Sequence, residues 1–220
     1  MPESLPQIPS FDLKRNYARV DKEIKEAIER VLGSQHFIMG PEVSAFESEV
    51  ASYLGVPHAV SCASGTDALL LALMALGVKP GDEVVTTPFS FFATASCVTR
   101  LGARPVFVDV DPDTFNISMD GVLRALTGRT KAVIPVHLFG QMCALETLEK
   151  ELRARKVAIV EDCAQAFGAH RTVDGRIMRA GAWGDFGCFS FFPTKNLGAY
   201  GDAGSQPRSE ERRVGKECRS

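Results

Sequence analysis

The sequence contains no C-x-x-C pair: its six cysteines, at positions 62, 97, 143, 163, 188 and 218, are scattered, so the spacings of zinc sites and dithiol redox centres are missing. Thiols spread in this way are expected to be buried and reduced. No set of histidine, cysteine and carboxylate stands at ligand spacing either, which leaves metal binding unsupported. The longest apolar run, Ala68 to Leu76, falls far short of the ~18 residues that a bilayer span requires. The start, Met-Pro-Glu-Ser, lacks a basic end followed by an apolar core. These absences predict a cytoplasmic protein with no membrane partner. No basic stripe is present and the net charge is -2, so there is no electrostatic footprint for nucleic acid. A dinucleotide fingerprint is missing too: Gly181-Ala-Trp-Gly-Asp-Phe-Gly and Gly198-Ala-Tyr-Gly-Asp-Ala-Gly share the spacing G-x-x-G-D-x-G, not G-x-G-x-x-G. Both are expected to be turns that use glycine for positive φ.

What is present is a chain of 220 residues, 45% hydrophobic and 24% charged, enough for a sizeable core in one domain or a little more. The first sixteen residues include three prolines and have no period, so they are expected to form an arm. Val20, Ile24, Ile28 and Val31 then repeat at helical spacing to about Leu32, with Gly33 as the stop. A second helix is predicted from Pro41, with Val43, Phe46, Val50 and Tyr53 on one face, ending at Gly55. Both apolar faces are expected to pack. This divides the chain into an arm and helix over 1–35 and a large domain over 36–205.

From Ala59 onward the pattern is regular. Strand-like runs start near 59, 83, 105, 131, 157 and 186, and helical segments at 66–76, 91–101, 118–127 and 144–154 separate the first five. Repeated strand-plus-helix units imply an α/β fold with a mostly parallel sheet sandwiched by helices. In such sheets ligands collect at the carboxyl ends of the strands.

Three of those ends carry suggestive chemistry. Ser64-Gly65-Thr66 opens a helix, Asp162 ends a strand, and Lys195 follows the apolar run Phe186 to Phe192 just before a glycine-spaced turn. A lone lysine is ordinarily a solvated surface residue. Together, however, the three supply what pyridoxal phosphate chemistry needs: a Schiff-base amine with a lowered pKa, a carboxylate to hold the pyridinium proton, and helix-start N–H groups for the phosphate. The ordinary alternatives are helix caps at Ser64 and Asp162. His137, at a strand end beside a glycine turn, could line the site but is as readily explained as a structural hydrogen-bonding group.

Five motifs in order sharpen this. Ser-Gly-Thr-Asp-Ala-Leu (64–69), Gly-Asp-Glu-Val-Val (81–85), Pro-Val-His-Leu-Phe-Gly-Gln (135–141), Glu-Asp-Cys-Ala-Gln-Ala-Phe-Gly-Ala (161–169) and the lysine segment make the chain resemble the DegT-type sugar-nucleotide aminotransferases. The resemblance implies the large domain of the aspartate-aminotransferase fold, truncated, since it covers only the N-terminal half of such enzymes. It also implies pyridoxal phosphate as cofactor, with Gln165 at the ring's phenolic oxygen, Ala164 on one ring face, Phe91 stacked on the other, and Ser190 as a further phosphate ligand. Its implied partners are an amino donor, glutamate, and a nucleotide-bound keto-sugar acceptor, in a homodimer whose neighbouring subunit adds contacts. Related sugar dehydratases carry histidine in place of the lysine, so Lys195 argues against that activity. A non-catalytic cofactor-binding or regulatory protein is the alternative of another class.

The last thirteen residues, Arg208 to Ser220, hold five basic and three acidic residues and no period. They resemble translated sequencing-adapter DNA joined to a broken reading frame, so 206–220 is expected to be a non-native tail. The last strand of the large sheet is then expected to lie beyond Gly204, outside the chain.

Overall fold

The computed structural model describes Pro9 and residues 12–208. They form two compact units that divide between Ala45 and Phe46, ten residues later than the boundary read from sequence. In the first unit, α1 (Leu13–Tyr17) is capped by Asp12, whose carboxylate accepts from the Arg15 N–H at 3.0 Å. Part of the expected arm is therefore helical. Helix α2 (Asp21–Ser34) runs through Gly33 and stops at Gln35, which takes the left-handed conformation at φ 56. The Gly33 stop is thus corrected by two residues: its N–H bonds continue the helix, and Gln35 supplies the reversal. No residue of α2 is buried; among the described residues its apolar stripe is covered only in part, with Ile24 and Val31 half-buried and Val20 and Ile28 exposed. Helix α3 (Pro41–Leu54) keeps its predicted ends, with proline in the first turn and Gly55 at φ 73 after the last.

The second unit is built on a seven-stranded sheet. In chain order its elements are β1 (His58–Cys62), α4 (Gly65–Ala75), β2 (Glu83–Thr86), α5 (Phe92–Arg100), β3 (Arg104–Phe107), α6 (Met119–Ala125), β4 (Thr130–Val133), α7 (Glu149–Ala154), β5 (Ala158–Asp162), the pair β6 (His170–Val173) and β7 (Arg176–Arg179), β8 (Phe186–Ser190) and β9 (Gly204–Arg208). The sheet order is β1-β9-β8-β5-β4-β2-β3. From β8 to β3 every pairing is parallel, and β9 is antiparallel to both of its neighbours.

Alternation along the strands sends successive side chains into two cores. Val85, Val133 and Ile159 face one, with α6, α7, Trp183 and Phe189. Val84, Ala132 and Val160 face the other, with Leu69, Ala72 and Leu73 of α4 and Cys97 and Val98 of α5. Helix α4 lies against the sheet and against α5 with Ala68, Leu69, Ala72 and Leu73 buried, whereas Leu71 and Met74 on its remaining face are exposed.

Two elements were not expected. The hairpin β6–β7 is short and half-exposed, and lacks the apolar runs that mark the other strands. Strand β9 reads Gly-Ser-Gln-Pro-Arg, with no apolar pattern, yet it fills the place where the missing strand was expected. Gln206 pairs with Val60, Pro207 with Ala59 and Arg208 with His58, and the Gln206 amide donates to the Ala68 carbonyl at 3.1 Å. Pro207 is tolerated because the β8 ladder is interrupted there, with pairs at Phe189–Ser205 and Phe186–Arg208 but none between. Residues 206–208, assigned from sequence to the tail, thus belong to the sheet. The rest of the expected tail, 209–220, lies outside the described residues.

Candidate active site

The carboxyl ends of β1, β5 and β8 bring together the three parts singled out from sequence. Asp162 closes β5 and is 4% exposed. Its Oδ2 accepts from Thr94 Oγ1 at 2.8 Å, and its Oδ1 accepts from the Ala164 N–H at 3.1 Å. Burial pushes its carboxyl pKa up, while those two hydrogen bonds, and after them His137 and Lys195 through space, oppose the rise. Lys195 lies in the turn after β8, with its N–H donating to the Phe192 carbonyl at 2.8 Å. The side chain is half-buried, and burial lowers its amine pKa against the pull of Asp162. Each group is therefore within electrostatic reach of the other. An amine shifted in this direction spends more of its time as a neutral nucleophile.

The third part is the start of α4. Ser64 is the cap, its Oγ accepting from the Asp67 N–H at 3.1 Å. The N–H groups of Gly65 and Thr66 have no acceptor among the described residues, as expected of a helix's first turn. Gly65 lies so close to β8 that a Cβ there would stand 2.7 Å from Ser190 Cβ, and a Cβ on Gly204 would overlap the Ser64 backbone. Close approach, not positive φ, is what these glycines provide. In the two G-x-x-G-D-x-G segments positive φ is found at Gly181 alone, at 82; Gly184, Gly187, Gly198 and Gly204 are closely approached by backbone, and Gly201 has open space. Ser190 Oγ accepts from the Phe192 N–H at 3.4 Å, and the Cα and Cβ of Ser190 border the α4 start. Ser64, Gly65, Thr66 and Ser190 thus form one cradle with two free N–H donors.

The flanking candidates lie on the same ends of the sheet. Ala164 is half-buried and Gln165 is exposed, both in the turn after Asp162. Phe91 caps α5 and Phe92 opens it, 76% and 79% exposed, so neither is a core residue as phenylalanine usually is. His137 is fully buried: its Nδ1 accepts from the Cys143 N–H at 3.1 Å and its Nε2 meets Glu161 Oε2 at 2.7 Å. Burial pulls this imidazole's pKa down, while Cys163 first, and Cys143 and Glu161 with it, pull it up; the direction of its hydrogen bonds decides its form. An Nδ1 that accepts an N–H carries no proton, so the ring is the neutral tautomer with Nε2–H donating to Glu161.

Sequence reasoning missed Glu161, Thr94 and Ser90. Glu161 Oε1 accepts from the N–H groups of Trp183 and Gly184, at 2.8 and 2.7 Å, and Oε2 from that of Gly181 at 3.1 Å besides His137. With Cys163 and His137 it makes a compact trio of ligand-type atoms. Four donors already occupy the carboxylate, and burial pushes the Cys163 thiol up to about 12, so the trio is a hydrogen-bonded strut, not a metal centre. The only signal in the sequence was the pair of adjacent acids at a strand end.

A buried carboxylate within electrostatic reach of a half-buried lysine, next to a helix start with free N–H groups, makes this the candidate site of the α/β unit. A profile of the DegT/DnrJ/EryC1/StrS aminotransferase family matches residues 18–212. The chain belongs to that family. It is 48% identical over 197 residues to a UDP-N-acetyl-3-dehydro-alpha-D-glucosamine 3-aminotransferase of Acidithiobacillus ferrooxidans, covering 90% of this chain and 52% of that protein. It is 46% identical over 197 residues to a pleiotropic regulatory protein of Geobacillus stearothermophilus, with the same coverage of 90% and 52%. Its fold superposes on the crystal structure of a DegT DnrJ EryC1 StrS aminotransferase from Brucella abortus with a TM-score of 0.89 at 39% identity, over 93% of this chain and 56% of that one. The chain spans about half the length of the curated relatives it matches.

Proposed function

We propose that the protein carrying this chain is a pyridoxal-phosphate-dependent aminotransferase that moves an amino group from glutamate onto a keto-sugar bound to a nucleotide diphosphate. It would work in the cytoplasm as a homodimer, in the making of polysaccharides or amino-sugars. The observation that carries the proposal is Asp162, buried at the end of β5 within electrostatic reach of Lys195, with the two free N–H groups of α4 nearby. The family match and the name of the Acidithiobacillus relative support the substrate class.

The residues present suit the cofactor. The phosphate would lie on the Gly65 and Thr66 N–H groups with Ser190, where a helix start favours a dianion. Asp162 would hold the proton on the ring nitrogen, Ala164 and Phe91 would enclose the ring, and Gln165 would bond its phenolic oxygen. Bound pyridoxal phosphate supplies an electron-withdrawing ring that makes the hydrogen on the donor's amino-bearing carbon acidic. Lys195 Nζ would hold the cofactor and then carry that proton, a task that requires an amine with a lowered pKa.

The test is spectroscopic. The protein should show the visible band of lysine-bound pyridoxal phosphate, and Lys195→Ala should abolish it while leaving the fold intact. Glutamate should convert the bound cofactor to its amine form. A cofactor-binding regulator, the reading suggested by the name of the Geobacillus relative, would show the band and no conversion. The 220-residue chain alone is expected to have little activity, because its relatives are about twice as long. Full turnover by the isolated chain would contradict that.

A further inference from the structure

In the first turn of α5 and the loop before it stand two hydroxyls for which the chemistry above has no use. Ser90 Oγ lies 2.8 Å from Thr94 Oγ1, and Thr94 Oγ1 lies 2.8 Å from Asp162 Oδ2. Thr94 is 1% exposed and Asp162 is 4% exposed, whereas Ser90 is half-buried in the loop that leads to Phe91. The hydrogens in this row have only one arrangement. An ionised carboxylate can only accept, so the single Thr94 hydrogen points to Asp162, and Thr94 must in turn accept the hydrogen of Ser90. The row therefore runs in one direction, from the loop to the carboxylate.

We propose that Thr94 is a positioning residue, oriented by Ser90, that keeps Asp162 ionised and aimed so that its proton-holding oxygen serves the ring nitrogen of pyridoxal phosphate. The inference rests on the function proposed above. Its physical basis is that a buried carboxylate left with the Ala164 N–H as its only donor would gain a proton and lose the negative charge that the ring nitrogen requires. Other groups around Asp162 cannot replace the hydroxyl. His137 from the β4 end is neutral and committed to Glu161. Cys163 after β5, Cys188 on β8 and Cys97 on α5 are thiols held protonated by burial. With His137 neutral, Lys195 is the remaining through-space charge that opposes protonation of Asp162, and among the described residues it makes no hydrogen bond to the carboxylate.

Thr94→Val keeps the shape and removes the hydrogen bond. In the protein carrying this chain, loaded with pyridoxal phosphate labelled with ¹⁵N in the ring, the ¹⁵N resonance reports directly whether the ring nitrogen is protonated. The wild type is expected to be protonated across neutral pH. Thr94→Val should move the resonance toward the unprotonated position and weaken cofactor binding by about tenfold, the usual size of one hydrogen bond to a charged group. Thr94→Ser should restore both, which simple loss of packing would not explain. Ser90→Ala should shift the resonance the same way by a smaller amount, and it decides the matter should Thr94→Val fail to fold. If the wild type loads with cofactor while Thr94→Val, or in its place Ser90→Ala, keeps the wild-type resonance and affinity, this inference is wrong and the proposed function stands. If the wild type does not take up pyridoxal phosphate at all, the function itself is wrong and this inference falls with it.

Discussion

Glu161 and Asp162 are neighbours in the chain, both carboxylic acids and both buried, yet they face opposite sides of the sheet and are hydrogen-bonded to different degrees. Glu161 projects toward the core shared with Trp183 and Ala180, where three backbone N–H groups and His137 saturate it. Asp162 projects toward α5, where one hydroxyl and one N–H reach it and Lys195 stands nearby. Saturation by fixed donors makes a strut, and incomplete saturation beside a lysine leaves capacity for a ligand. Burial alone does not separate a structural acid from a functional one; the count and permanence of its donors do.

The comparison can be broken by emptying each side in turn. Glu161→Ala should have the largest effect, because it strands three backbone donors and the His137 N–H in a dry core. Denaturant unfolding should show a loss of about 3–5 kcal/mol, the range seen when one partner of a buried charged network is removed. A variant of near wild-type stability would mean that water replaces the carboxylate there, and the strut would be the wrong description. Gly65→Ala should come next. The added Cβ would press on Ser190 Cβ and Cα and on the Phe189 carbonyl, none of which is a flexible side-chain end. A loss of about 1–3 kcal/mol is expected from overpacking, together with weaker phosphate binding at the α4 start.

Asp162→Asn should act the other way on stability. The folded pKa of Asp162 is raised, so its ionisation favours the unfolded chain. The stability tied to its protonated form is complete below the ordinary carboxyl value of about 3.9 and is lost as pH rises through the raised folded value. Asparagine has no such loss, so the stability of Asp162→Asn relative to wild type should climb with pH across that window and then level off. Unfolding curves at several pH values would check this. A flat difference would show that Thr94 and Lys195 cancel the cost of burial completely.

How much of this could be read from the chain follows the same physics. Most of the apolar runs and the helices between them were legible because they bury a face; β3, at the sheet edge, has no buried residue, and the helix expected over 144–154 is α-helical only from Glu149, after a 3-10 turn at Leu145–Thr147. Lys195, Asp162 and Ser64-Gly65-Thr66 were legible because reactive groups stood at predicted strand or helix ends. Strand β9 was not, because Gly-Ser-Gln-Pro-Arg is held by ladders on both sides and needs no apolar pattern of its own. Thr94 and Ser90 were not, because a hydroxyl in the first turn of a helix and another in the loop before it look the same whether they face solvent or a carboxylate 68 residues away from Thr94. Gln35 ended α2 where Gly33 was expected, since the left-handed turn is fixed by where the chain must reverse and glycine only makes it easier.

Glu151 supplies the control for all of these, a carboxylate with a partner but without burial. Its Oε1 accepts from Arg155 Nε at 2.6 Å, shorter than any contact of Glu161 or Asp162, and both side chains are nearly half exposed. Were distance the measure of strength, Glu151→Gln would cost the most of the four substitutions. Water screens both charges, and holding two long side chains in one geometry costs entropy, so the expected loss is about 0.5 kcal/mol or less. The difference from Glu161→Ala, read by the same unfolding measurement, isolates what a dry surrounding adds to a carboxylate's bonds. A Glu151→Gln loss comparable to that of Glu161→Ala would leave the contrast between the two faces of β5 without its physical basis.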